Sequence, residues 1–276
     1  MPVLLDSNSY GKSRVRLVKV TRQPDRHDIA ELTVDVRFEG DFDAVHTAGD
    51  NRNILTTDAM KNTVNALAKT WSGENIEEFG VQLIEHFLDD NPQVARVRIE
   101  IAQGQWIRLD RYSFVRGSEE KRTTEVEGER GRIRITSGIE NLVALRTAGS
   151  SFAGYRKERY TTLKETDDRI MASAIRAHWK YGGAGVAFTS CWERARAAML
   201  KVFSERESPS VQHTAYAMGE AVLEAVSEIV SIRLVLPNKH CLLVDLAPFG
   251  LDNPNEIFTP TDEPHGTIEV SVGRVG

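Results

Sequence analysis

Ser151-Phe152-Ala153-Gly154-Tyr155-Arg156-Lys157-Glu158-Arg159-Tyr160-Thr161-Thr162-Leu163-Lys164-Glu165-Thr166-Asp167-Asp168-Arg169-Ile170 is the stretch whose reading decides the fold. One aromatic, Phe152, stands near its start between small residues, and Arg169 closes it. Between them Tyr160-Thr161-Thr162-Leu163, rich in aromatic and β-branched residues, predicts a short strand. Ile170 to Tyr181 reads as helical, which makes the unit loop–strand–helix with Arg169 at the start of the helix. A flat ring stacks on a planar heterocycle, and a guanidinium fork matches two neighbouring acceptors in one plane. The pair suits a flat, oxygen-rich, anionic ligand such as a purine. The residues alone also fit a core Phe and a solvated Arg.

Working outward, hydrophobic periodicity divides the rest of the chain. Toward the N-terminus, Val15, Leu17, Val18 and Val20 predict a half-buried strand whose alternation slips at Leu17-Val18, where a bulge would absorb it. Pro24 to His27 reads as a turn, and Ile29, Leu32, Val34, Val36 and Phe38 as the second strand of a hairpin. Thr57 or Asp58 is expected to cap a helix running from Ala59 to Ala68. Ile76, Phe79, Leu83, Ile84 and Phe87 form the apolar stripe of a second helix, stopped before Pro92. Strands follow from Val94 to Trp106, with Gly104 marking a bulge, and around Phe114 and Thr123 to Val126. Glu119-Glu120-Lys121-Arg122 reads as a solvated edge.

The second half repeats this order of elements. Ile133 to Leu145 starts a new hairpin, and Trp192, Ala195, Ala198, Met199 and Val202 mark one helix. Tyr216 to Ile229 marks another, with Val211-Gln212 at its opening. Ile232, Leu234 and Leu236 form a strand that turns at Pro237-Asn238-Lys239 and returns through Cys241 and Leu243. The expected architecture is α+β, with two tandem units, 1–136 and 137–276, each an antiparallel sheet with helices on one face. Free sheet edges in such units invite closure by oligomerisation.

Composition narrows the function. The 276 residues carry a net charge of −5, and no long basic run appears, which argues against nucleic acid as the main partner. No apolar run approaches the length of a membrane span. Two cysteines cannot build a disulfide framework, so a reducing compartment is expected. None of the seven histidines lies in a His-x-x-x-His or His-Glu-x-x-His spacing, and no phosphate-binding glycine loop is present. Neither a metal nor a nucleotide cofactor is expected. The N-terminus does not read as a signal peptide.

Phe152-Ala153-Gly154-Tyr155, followed by Tyr160-Thr161-Thr162-Leu163-Lys164-Glu165-Thr166 and Asp168-Arg169, resembles the central motif of the urate oxidase (uricase) family. Four further segments resemble that family in the same order: Tyr10-Gly11-Lys12, Thr57-Asp58 with Lys61-Asn62-Thr63, Ser210-Val211-Gln212, and Leu236-Pro237-Asn238-Lys239-His240. The resemblance implies the tunnelling fold (T-fold), two tandem units that close into a barrel in a homotetramer with active sites at subunit interfaces. It implies Lys12, Thr57 and His240 as catalytic residues. It implies Thr57, Asp58, Phe152, Arg169, Val211, Gln212 and Asn238 as substrate-binding residues. The implied reaction converts urate, O2 and water to 5-hydroxyisourate and hydrogen peroxide without a cofactor. The absence of a C-terminal Ser-Lys-Leu address, found in many eukaryotic members, points to the cytoplasm. The rivals are another T-fold enzyme acting on a purine or pterin ring and a non-catalytic purine-binding protein.

Overall fold

The computed structural model describes residues 3–183 and 185–275. The chain forms two compact units, one up to Gly138 and one from Ile139.

The first unit opens with β1 (Tyr10–Arg22) and β2 (His27–Gly40), an antiparallel hairpin. Buried residues alternate along β2 at Ala30, Leu32, Val34, Val36 and Phe38, the period of a strand with one face on a core. Tyr10-Gly11-Lys12 belongs to β1, with Gly11 opposite Arg37 and Lys12 opposite Val36. Gly11 is required there because a Cβ would stand 1.9 Å from the Val36 carbonyl oxygen. The register shift in β1 lies between Lys12 and Val15, not at Leu17-Val18. Arg14 takes a positive φ of 58° at this bulge. The apparent phase slip has a different cause. Val18 and Val20 remain on the outer side, 58% and 43% exposed, so the alternation is never broken.

A short helix α1 (Asp43–Thr47) precedes α2 (Thr57–Thr70) and α3 (Ile76–Asp90). The cap of α2 is Thr56, whose hydroxyl accepts from the Ala59 N–H at 3.1 Å. The cap thus falls before both expected candidates, Thr57 and Asp58, and Thr57 is the first helical residue. Met60, Val64 and Ala68 of α2 and Phe79, Leu83, Ile84 and Phe87 of α3 are buried in one core with β2. Each of these side chains larger than alanine contributes about 1.5–3 kcal/mol.

Strands β3 (Val94–Arg108) and β4 (Phe114–Glu129) complete the sheet order β1-β2-β3-β4-β5, with the expected irregularity at Gly104. The unit boundary falls within β5 (Arg132–Arg146). β4 is one continuous strand, and its charged run is not a solvated edge. Glu120 and Arg122 are buried, and Arg122 pairs with the fully buried Glu77 at 2.6 Å. The Ser137 hydroxyl donates to the same carboxylate at 2.6 Å. Packing of α3 over the sheet buries charges that look solvated in sequence, and each has a partner, as burial demands.

The second unit repeats the pattern with β5, β6 (Met171–Tyr181), α4 (Phe188–Glu205), α5 (Val211–Ala225), β7 (Ile229–Pro237) and β10 (Thr267–Gly273), in the sheet order β5-β6-β7-β10. Four expectations fail here. Tyr160 to Leu163 forms a turn and irregular chain, not a strand. Met171 to Tyr181 is a strand, not a helix. Ile175, Ala177 and Trp179 are buried at a spacing of two, and Arg176 pairs with Val235. Ala172, Ala174 and Ala177 in this segment imitate a helix because a small residue fits either period. Ile229 opens β7 and does not extend α5. His240 to Leu243, β8, pairs with β9 (Phe258–Thr261) and does not return along β7, whose partner there is β10. The core joins Trp179, Cys191, Met199, Met218 and Leu234.

Candidate active site

The 152–166 loop is closed at its neck and folded by its own contacts. Phe152 and Thr166 exchange backbone hydrogen bonds at 2.8 and 3.1 Å. The Asp168 carboxylate accepts from the Gly149 N–H at 2.7 Å and from the Ser150 N–H at 3.4 Å. Lys157 pairs with Glu165 at 3.1 Å. These ties bring the two ends of the motif together, so that the Arg169 Cζ lies 5.2 Å from the centroid of the Phe152 ring.

Arg169 lines a cavity of about 290 Å³ in the second unit. Leu163, Asp168, Met171, Val211, Asn238, His240 and Cys241 share its wall. This volume lies near the small end of ligand cavities, about 300–1,000 Å³, and suits a bicyclic heterocycle. The Arg169 Nε is buried with no hydrogen-bond partner among the described residues. Burial pulls the guanidinium below its ordinary pKa, yet an arginine stays protonated in proteins. A buried, charged donor without an acceptor is costly, and an anionic ligand would relieve that cost.

Val211 is the first residue of α5, behind Ser210, whose hydroxyl caps the helix by accepting from the His213 N–H at 3.1 Å. Val211 is buried and Gln212 exposed. The free N–H groups of a helix start favour an anion. Asn238 follows the end of β7 and His240 begins β8. The Asn238 N–H donates to the Gly266 carbonyl and that of Lys239 to the Ala172 carbonyl, each at 2.9 Å, which fixes the turn against β6 and the approach to β10.

Lys12, Thr57 and Asp58 belong to the first unit. Lys12 and Thr57 are half-buried. Because Thr56 makes the cap, no hydrogen bond ties up the Thr57 hydroxyl among the described residues. The Lys61 ammonium, 2.5 Å from Asp58, holds the Asp58 carboxyl below the usual carboxylate range. Asn62 and the charge of Lys12 act in the same direction. Lys12 is thus within electrostatic reach of the start of α2. Among the described residues, no group of three or more His, Cys, Asp or Glu is arranged to hold a metal ion.

Two residues that sequence reasoning passed over belong to this region. Leu163 lines the cavity. Tyr155 stacks on Phe152 with centroids 5.0 Å apart. Both lie inside the motif, and only the closure of the loop reveals their positions.

Paired α+β units, each an antiparallel sheet with helices against it, with a cavity whose wall carries a guanidinium lying over an aromatic ring, define a T-fold protein. The chain belongs to the uricase family, whose sequence model matches residues 8–127 and 135–269. The uricase of Arthrobacter globiformis is 44% identical over 276 residues, covering 99% of this chain and 91% of that protein. The uricase of Cyberlindnera jadinii is 35% identical over 99% of this chain and 98% of its own length. The crystal structure of the Arthrobacter globiformis uricase superposes with a TM-score of 0.96, covering 100% of this chain and 96% of that one. A uricase structure from Bacillus fastidious shares the fold, with a TM-score of 0.83 at 23% identity, over 97% of this chain and 94% of that one.

Proposed function

We propose that this chain, a urate oxidase by family, binds urate against Phe152, Arg169, Val211 and Gln212 and oxidises it with O2 and no cofactor. The observation that carries the reading is Arg169, half-buried in a cavity wall with its Nε buried and unpartnered among the described residues and its guanidinium carbon 5.2 Å from an aromatic ring's centroid. Phe152 supplies the stacking face. The Arg169 fork grips one edge of the urate monoanion, and the Val211 N–H with the Gln212 amide grips the other.

Lys12 and Thr57 take a proton from urate and raise its electron density, and His240 orients that pair. Two electrons pass from urate to O2, which leaves as hydrogen peroxide with two protons. Water adds to the oxidised ring at C5, and the product is 5-hydroxyisourate. Atoms balance as urate, O2 and H2O on one side and 5-hydroxyisourate and H2O2 on the other. Asn238 places O2, and then water, over the ring. Asp58 completes the edge that Thr57 contacts.

The active form is a homotetramer in which Thr57 and Asp58 of one subunit serve the Phe152–Arg169 cavity of another, and barrel closure covers the free sheet edges. The compartment is the cytoplasm. Among the described residues no helix is long and apolar enough to cross a membrane. The test is loss of urate ultraviolet absorbance with matched oxygen uptake after chelator treatment. Activity that vanishes with the chelator and returns with a metal would overturn the cofactor-free reading.

A further inference from the structure

We propose that Tyr155 is a positioning residue for the substrate, setting both the stacking floor and one wall of the cavity. The Tyr155 ring lies parallel to Phe152, with centroids 5.0 Å apart and planes 16° apart. A flat ring has two faces. Tyr155 covers one of those of Phe152, and the Arg169 guanidinium carbon lies over the same ring, 5.2 Å from its centroid, so Tyr155 holds the ring in the orientation that Arg169 and a heterocycle meet. Gly154, at φ +70°, makes the chain reversal that lets residues three apart stack.

The Tyr155 hydroxyl donates to the carbonyl of Leu163, a residue of the cavity wall that also contains Arg169. One side chain therefore joins the Phe152 ring to the cavity wall. The loop contributes little to a core, since Tyr160 is 72% exposed and Leu163 58%. Its shape depends on a few specific contacts and not on a core. The Lys157 ammonium, 5.9 Å from the Tyr155 ring centroid, adds a cation–π contact on the same ring.

The inference rests on the purine-binding reading above, and its test separates the two. Tyr155→Phe keeps the stack and removes the hydroxyl tie, whereas Tyr155→Leu removes both. Titration calorimetry with xanthine, which has no oxygen at C8, reads binding without turnover, and initial rates with urate read KM and kcat. Losing one neutral hydrogen bond corresponds to a roughly 2–10-fold weakening, and losing an aromatic pair to about the same again.

Tyr155→Phe is expected to bind xanthine roughly 2–10-fold more weakly, with KM for urate raised and kcat within about twofold. Tyr155→Leu is expected to be weaker still. A thermal melt checks folding, and if Tyr155→Leu does not fold, Tyr155→Phe alone decides. Parental xanthine affinity in Tyr155→Phe, or a loss confined to kcat, would overturn the role. Parent protein that binds no xanthine and leaves urate intact would overturn the underlying reading before any variant is compared.

Discussion

The Arg169 guanidinium carbon stands 5.2 Å from the centre of the Phe152 ring, although the two residues sit at opposite ends of a loop that carries almost no core. The Phe152–Thr166 neck and the Asp168 carboxylate make this proximity.

Arg169→Lys keeps the charge and loses the fork. A lost charge-assisted hydrogen bond costs about 1.5–3 kcal/mol, so urate affinity should fall roughly tenfold or more. Arg169→Met removes a buried donor that has no partner, and its melting temperature should be no lower than the parent's while urate binding is lost. Equilibrium binding and a thermal melt check both. Unchanged affinity in the Lys variant would remove Arg169 from the site.

Neighbouring threonines should separate stability from catalysis. Thr56→Ala removes the cap of α2 and should cost about 1 kcal/mol of stability with kcat nearly intact. Thr57→Ala should leave stability nearly unchanged and lower kcat by about 10²–10⁴-fold. Lys12→Met should fall in the same range, and the double variant with Thr57→Ala should be little worse than either single variant, as for groups acting as one unit. Steady-state urate oxidation with denaturation curves tests this. Near-normal turnover in Lys12→Met would end the relay.

Complementation tests the shared site. Thr57→Ala and Arg169→Ala proteins should each be inactive, and mixing them under conditions of subunit exchange should restore part of the activity. Exchange shown by mass spectrometry without recovered activity would place every active-site residue within a single chain.

Glu77 and Arg122 should matter for stability alone. Removing one partner of a buried pair strands the other charge, at a cost of about 3–5 kcal/mol. Arg122→Met should therefore shift the denaturation midpoint markedly downward, with kcat per folded molecule unchanged. A variant as stable as the parent would mean that the pair at 2.6 Å contributes nothing net.

Several elements were legible because their cause is local. The β2 alternation from Ala30 to Phe38 and the stripe from Ile76 to Phe87 each face one core, so period alone reports them. The opening of α5 at Val211 follows from a serine placed to cap it. The tie of Tyr155 to Leu163 was not legible, because it exists only once the loop neck has closed. The cap fell on Thr56 and not on the expected Thr57 or Asp58, since neighbouring oxygen-bearing side chains offer the same acceptor and backbone geometry chooses between them.

The sequence by itself determined the order of the elements, the repeat of that order and the motif residues that place the chain in its family, because side-chain type and spacing are local properties. Tertiary structure alone decided that Met171–Tyr181 is a strand, since its pairing with β7 joins residues distant in the chain. Only tertiary structure, too, paired β8 with β9, because the competing partners differ in backbone approach and not in composition. It buried Glu77 of α3 against Arg122 of β4 and brought Phe152, Tyr155 and Arg169 together. Such contacts are fixed by backbone hydrogen bonds and packing between segments far apart in sequence, which no local pattern encodes.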